Sequence, residues 1–313
     1  MSEPPPPDDT FVADDSGTPH SMGTHWMPFL GGAEAIVRRL PELLATAELQ
    51  HGYGSLRSAA KSLPDSWPRG FQLAWPRPGA PCVAMIIAAE PRGNFVVSVF
   101  PSVEGGVQHT VTLRRVRVSE SGLEARITGL WGPAEVSFFD TRFVGDRAQY
   151  VAGREFDFIL AGLAYAAAPA RPVSWAVAQV PGLSELWKES ESAVEPGAAP
   201  SVSISMEGAA VLLPLPDGDI DDYTFRGPVK SVVPLDDWLG EPGWRLRTTV
   251  MRGENGDDID LDIVVTARTW SGTSPPKSGS DIEGHLWLQG YLWMPGRTTR
   301  ASREPFPFDQ RWR

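Results

Sequence analysis

Residues 138–165, FFDTRFVGDRAQYVAGREFDFILAGLAY, align without a gap on 264–291, VVTARTWSGTSPPKSGSDIEGHLWLQGY, at a constant offset of 126 residues. Under that offset Arg142 falls on Arg268, Gly153 on Gly279, Phe156 on Ile282, Leu160 on Leu286 and Tyr165 on Tyr291. Upstream, LEARITGLWG (123–132) matches WRLRTTVMRG (244–253), pairing Arg126 with Arg247 and Gly132 with Gly253; the second copy then carries extra residues in the loop ENGDDID. A shared order of strand, strand, irregular connection, glycine, strand implies a repeated unit, and such a repeat decides the fold expected. Gly153 and Gly279 each precede a strand where a tight turn wants positive φ. Along the strand after Gly279, alternation places Ile282, Leu286, Leu288 and Leu292 on one face. Glu283, His285, Trp287, Gln289, Tyr291 and Trp293 fall on the other, so the aliphatic face is the expected core.

Outward from the repeat, HTVTLRRVRV, LEARITGLWG, AEVSFFD and REFDFILAGLAYAA form a nearly unbroken β pattern from His109 onward, with glycine-containing turns that suit a meander or small barrel. The N-terminal third is different. Ile36, Leu40, Leu43, Leu44 and Ala47 recur at helical spacing, and Pro41 predicts a break between two short helices. VAMIIAA (83–89) and FVVSVF (95–100), separated by EPRGN, read as a hairpin turning at Gly93–Asn94. The fold class expected is mainly β, α+β overall, with two divergent small-barrel units after a small α+β N-terminal region. The boundaries expected are an acidic, proline-rich tail over 1–20, which composition predicts to be disordered; an α+β region over 21–105; a first β unit over 106–180; a linker over 181–207; a second β unit over 208–296; and an Arg-rich tail over 297–313.

The layout resembles an OB-fold, the five-stranded small barrel in which a helix or irregular stretch joins strands three and four. The resemblance spans roughly 106–170 and 210–296, and an SH3-like barrel or a β-sandwich fits the same strands. FFDTRFVGDRAQYVAGREFDF and GSDIEGHLWLQGYL are also similar to stretches of uncharacterised bacterial proteins.

Charge says little about partners. The chain carries a net charge of -11. Residues 1–20 hold Glu3, Asp8, Asp9, Asp14 and Asp15 with no Lys or Arg, and residues 184–222 hold nine acids against Lys188 alone. The acidity therefore sits in the expected tail and linker, and the remaining chain is close to neutral. A single cysteine, Cys82, excludes an internal disulfide framework and a Cys-based zinc site. With no apolar run long enough to span a bilayer and an N-terminus unlike a signal peptide, the expected setting is the bacterial cytoplasm, away from membranes.

No phosphate-binding GxxxxGK[ST], HExxH or GxSxG motif occurs, so no catalytic residue, cofactor or metal is expected. His20 and His25 flank the tail, while His51, His109 and His285 are isolated in sequence. The run Asp217, Asp219, Asp221, Asp222 resembles the start of a calcium loop but places Asp222 and Pro228 where an EF-hand needs Gly and Glu. Two surfaces remain as candidates. Arg115 and Arg117 share one strand face, able to meet phosphates or an acidic partner. Trp287, Tyr291 and Trp293 either pack internally or form a platform that stacks bases or anchors a protein. The function expected is a non-enzymatic binding or scaffold protein that engages a protein partner. A single-stranded nucleic-acid binder using those residues is the alternative, and an enzyme with an unfamiliar site the second.

Overall fold

The computed structural model describes residues 10–14, 24–57, 63, 66–78, 81–171, 174–176 and 203–294. The chain begins with β1 (Phe11–Ala13), then α1 (Met27–Leu30) and α2 (Ala33–Thr46). The strands β2 (Glu48–Tyr53), β3 (Leu56–Arg57), β4 (Ser66–Trp67), β5 (Gly70–Trp75), β6 (Cys82–Glu90) and β7 (Gly93–Ser102) complete the N-terminal region. Next come β8 (Val107–Val118), β9 (Ala125–Trp131), β10 (Ala134–Asp140), the short α3 (Phe143–Asp146) and β11 (Glu155–Pro169). After β12 (Ser174–Ala176) and β13 (Ser203–Ser205) the second run is β14 (Val211–Pro214), β15 (Asp222–Trp238), β16 (Glu241–Arg252), β17 (Asp258–Thr266) and β18 (Asp281–Leu292). The protein is mainly β, built on a large sheet and a smaller one.

The large sheet has ten strands in the order β1-β8-β9-β10-β18-β11-β17-β16-β15-β14, with β8 also paired to β11 and β15 to β18. Those two extra pairings close two cycles of five strands. One is β8-β9-β10-β18-β11 and the other β15-β16-β17-β11-β18, so both contain the antiparallel β11–β18 pair and each takes one strand from the other half of the chain. Gly162 pairs with Leu288, its counterpart at the 126 offset, which puts the local two-fold at that pair. The register corrects the upstream alignment. Phe139 lies beside Gln289 and Val264 beside Leu163, so β17 follows β10 one residue short of that offset. Leu113 opposes Gly129 while Val229 opposes Thr248, which makes Arg245, not Arg247, the counterpart of Arg126.

A β-bulge explains how Arg114 and Arg115 of β8 come to face solvent. Val111 and Leu113 point inward at odd positions, Val116 and Val118 at even ones, and the register slips between Leu113 and Arg115. The extra residue, Arg114, changes the parity of the strand, so a single inserted position keeps apolar side chains inside along all of β8.

The main core lies within the two cycles and holds Phe138, Phe158, Leu160, Leu246, Leu261, Ile263, Ile282, Leu286, Leu288 and Leu292. The expected core face of β18 is thus buried. The middle of its opposite face, at Trp287 and Gln289, is buried as well, because the small sheet, ordered β2-β5-β6-β7, packs against the large one there. Alternate residues of β6 divide between the two layers: Ala84, Ile86 and Ala88 meet Phe139, Leu163, Val264 and Trp287, whereas Val83, Met85 and Ile87 meet Ile36 and Leu43 of α2. A strand covered on both sides reads as an unbroken apolar run, as VAMIIAA does.

Three local expectations change. Pro41 lies inside α2, which continues to Thr46 because Ile36, Leu40, Leu43 and Leu44 pack on one face of the small sheet. The β6–β7 turn is Pro91–Arg92, with Gly93 at φ 141° pairing with Glu90. Within the tail expected over 1–20, residues 11–13 form β1 alongside β8, and Phe11 sets its ring edge-on to Trp67 at 5.1 Å. Most of the expected linker and the C-terminal tail from 297 lie outside the described residues; the linker's last residues, Ser203–Ser205, form β13 against β12.

Candidate functional site

Two polar clusters occupy equivalent places in the two halves. In the first, the Tyr165 hydroxyl donates to Asp222 Oδ1 at 2.8 Å and lies 2.5 Å from His25 Nδ1. The His25 ring stacks on Trp287 with centroids 3.8 Å apart, and the Trp287 indole donates to Asp221 Oδ2 at 2.9 Å. Asp221 Oδ1 accepts from Arg126 Nε at 3.1 Å, and the same guanidinium pairs with Asp14 and Asp219. Five of these groups are nearly sealed from water: His25, Arg126, Asp221, Asp222 and Trp287. Burial, with Asp221 adjacent, pushes the Asp222 carboxyl up to about 6. Burial and then Asp222 push the Tyr165 hydroxyl far above its ordinary range, so it stays a donor. Burial opposes the Arg126 charge, but Asp221, Asp14 and Asp219 outweigh it and leave the guanidinium more firmly protonated than in water.

The second cluster is built around Tyr291, the counterpart of Tyr165. Arg142 lies over the Tyr291 ring at 3.9 Å and pairs with Glu104. Gln50 donates to Glu104 Oε1 at 2.5 Å, and Gln72 donates to Gln50 Oε1 at 2.8 Å. Arg245, the counterpart of Arg126, donates to the Glu104 carbonyl at 2.9 Å. In each half, therefore, an arginine from the second strand of the repeat reaches the segment that leads into the first strand of the other half.

A third group sits near the start of α3. Tyr150 donates to Asp140 Oδ2 at 2.5 Å and the Arg142 amide donates to Oδ1 at 2.9 Å. Burial and the nearby Asp146 nevertheless push the Asp140 carboxyl up to about 7. Beside it Arg147, 1% exposed, donates to the carbonyls of Gly122, Gly54 and Pro68 and packs on Tyr53 and Trp67.

These clusters join elements distant in sequence and bury their charges among mutual partners, the arrangement of internal ion-pair networks. General acid–base chemistry needs a substrate within hydrogen-bond reach of the titrating group. Beside Arg126, Asp14, Ser119, Glu124, Ala125 and Phe139 line a shallow, open depression. Among the described residues no group of three or more His, Cys, Asp or Glu side chains is placed to hold a metal.

The surface residues named from the sequence part company in the fold. Trp287 is fully buried, and Tyr291 is partly buried beneath Arg142. Trp293 is 39% exposed at the end of β18, its amide bonded to the Asp157 carbonyl. Arg115 is exposed on β8 opposite Thr128, whereas Arg117 is half-buried between Val12 of β1 and Arg126 of β9. Trp287 thus turns inward and packs on the N-terminal region, while Trp293 stays at the surface. His25, assigned to the flank of a tail, and Asp221–Asp222, assigned to a linker end, instead join Trp287 in the first cluster. The continuous apolar run VAMIIAA was the available signal that a second layer would cover β18.

An exposed apolar surface appears where the sequence named none. β7 is the last strand of the small sheet, and Phe95, Val96 and Val97 are 49%, 38% and 37% exposed. Val97 is the extra residue of a bulge, since Ile86 opposes Ser98 and Ile87 opposes Val96. Farther along, Trp26 Nε1 donates to the Val99 carbonyl at 3.1 Å and covers the strand there.

No protein-family model matches the chain, and no curated protein or solved structure matches it.

Proposed function

We propose that this chain is a non-enzymatic binding protein that takes a protein partner as an added strand along β7. The observation that carries the reading is the exposure of Phe95, Val96 and Val97 together on an edge strand. An edge presents unpaired backbone donors and acceptors, and monomeric proteins usually blunt it with charge, proline or a covering element. Here, among the described residues, Trp26 caps the strand with a hydrogen bond at Val99, beyond the exposed stretch. Strand addition obtains affinity from main-chain hydrogen bonds and specificity from alternating side chains, which fits an extended apolar segment of the partner. Two OB-like small barrels fused through β11 and β18 would serve as the rigid body behind this edge. The buried, mutually paired clusters support a scaffold rather than a reaction centre. Burial of Trp287 counts against the nucleic-acid alternative by taking one of its aromatic side chains away from the surface, while Trp293 stays exposed. The cytoplasm remains the setting proposed. No helix among the described residues is long and apolar enough to cross a membrane.

Site-specific photo-crosslinking in cells tests the reading. A photoreactive residue at Phe95 or Val97 should give one discrete protein adduct, while the same residue at Leu213, 58% exposed on β14, should not. Equal adducts at all three positions, or none at Phe95 and Val97, would overturn it.

A further inference from the structure

Arg114, Arg115 and Arg154 are all exposed, and none of the three side chains has an ion pair or hydrogen bond among the described residues. They lie close together because the Leu113 amide bonds the Arg154 carbonyl at 2.8 Å and the Gly153 amide bonds the Leu113 carbonyl at 2.7 Å. The other half of the chain supplies an internal comparison. There the Val229 amide bonds the Ser280 carbonyl at 2.9 Å and the Gly279 amide bonds the Val229 carbonyl at 2.8 Å, the same pattern at the counterpart residues. The bulge residue that follows is Lys230, as Arg114 follows Leu113. Lys230 is answered from within the fold, by Asp258 at 3.0 Å and Asp260 at 2.8 Å. In the first half Glu135 holds the place of Asp260 and forms no ion pair with Arg114, and exposed Glu155 stands opposite Thr112.

The entry of the N-terminal segment fits this gap. Val116 donates to the Thr10 carbonyl at 2.8 Å, and Ala152 donates to Thr10 Oγ1 at 3.0 Å. Thr10 is therefore fixed between the strand that carries Arg114 and Arg115 and the turn that carries Arg154. Immediately before it stand Asp8 and Asp9, in a segment with Glu3 and no Lys or Arg. Each residue of chain spans at most about 3.6 Å, so both carboxylates start within about 7 Å of Thr10. Four consecutive prolines, Pro4–Pro7, separate Glu3 from the two aspartates in sequence.

We infer that Arg114, Arg115 and Arg154 form the docking surface for this chain's own N-terminal segment, residues 1–9, with Asp8 and Asp9 supplying the charges that Asp258 and Asp260 supply in the other half. The docked segment shields the arginines from other polyanions and pins β1 to the edge of the large sheet.

Backbone ¹⁵N relaxation of the full chain at low salt tests this. The Asp8 and Asp9 amides should show order parameters near those of rigid backbone, about 0.8, and fall below about 0.6 in 1 M salt. The same loss should occur in the Arg114→Gln/Arg115→Gln/Arg154→Gln variant and, independently of that variant's folding, in Asp8→Asn/Asp9→Asn. A fluorescent twenty-residue oligothymidylate should bind Asp8→Asn/Asp9→Asn at least about tenfold more tightly than the parent chain. Amides of Asp8 and Asp9 as mobile in the parent as in the variants would overturn the inference. Oligothymidylate affinity unchanged by Asp8→Asn/Asp9→Asn would overturn it as well.

Discussion

Replacing Asp140 by Asn should change not only the stability of the protein but its dependence on pH. Asp140 is 2% exposed, and its carboxyl is pushed up to about 7 from an ordinary 3.8 by burial and by Asp146. Between those two values the unfolded chain carries the ionised carboxylate while the folded chain keeps the proton. The folded state thus binds one more proton, and its stability falls as pH rises, by about 1.4 kcal/mol per pH unit for this group. Over the full interval the loss is about 4 kcal/mol. It is complete above pH 7 and absent below about pH 4. Asparagine has nothing to ionise and still accepts a hydrogen bond from Tyr150 or the Arg142 amide. Asp140→Asn should therefore gain on the parent as pH rises from 5 to 8, by about 2 to 3 kcal/mol in total. Urea denaturation of both proteins at pH 5, 6, 7 and 8 measures the difference, which cancels titrations the two share, including that of Asp222. A stability difference constant within about 0.5 kcal/mol across that range would refute the assignment of a neutral, buried Asp140.

Trp287→Phe keeps an aromatic ring on His25 but removes the donor to Asp221, and should cost about 1–3 kcal/mol in chemical denaturation. Arg126→Ala leaves the fully buried Asp221 without its guanidinium partner and should cost about 3–5 kcal/mol, against less than about 0.5 kcal/mol for exposed Arg252→Ala. Gly153→Ala and Gly279→Ala, at φ 81° and 82°, should each cost about 1–2 kcal/mol; similar values would support the equivalence of the two turns. Cys82 is fully buried, and burial followed by Glu104 pushes its thiol up, so labelling by a thiol reagent at pH 8 should proceed only at the rate of unfolding.

Several elements of both sheets were legible in the sequence because their signals are local. The glycines before β11 and β18, the alternating aliphatic face of β18 and the hairpin of β6 and β7 each depend on a few neighbouring residues. What was not legible depended on residues far apart. The alignment around Arg126 was two residues out because it was anchored on Gly132 and Gly253, and β16 carries a bulge at Val250 that β9 lacks. Alternation put Trp287 on the face of β18 away from the aliphatic core and left open whether that face packs or binds, because it does not report what covers a face; the cover is a second sheet some 200 residues earlier in the chain. The first cluster was hidden for the same reason, since His25, Arg126, Tyr165 and Asp221–Asp222 carry no motif spacing and meet only when β9, β11, β15 and β18 have paired.

The shared β11–β18 pair also sets an order of assembly. During synthesis β8, β9, β10 and β11 emerge long before β18, so the first cycle lacks its fifth strand until the chain has been made almost to Leu292. Until then β10 and β11 expose edges that later pair with β17 and β18. Closing pairs so distant in sequence is slow, and unpaired apolar edges invite association with other chains in the interval. A fragment ending at residue 180 should consequently aggregate rather than fold, and a chaperone that holds β11 open until β18 arrives would raise the yield of the whole protein.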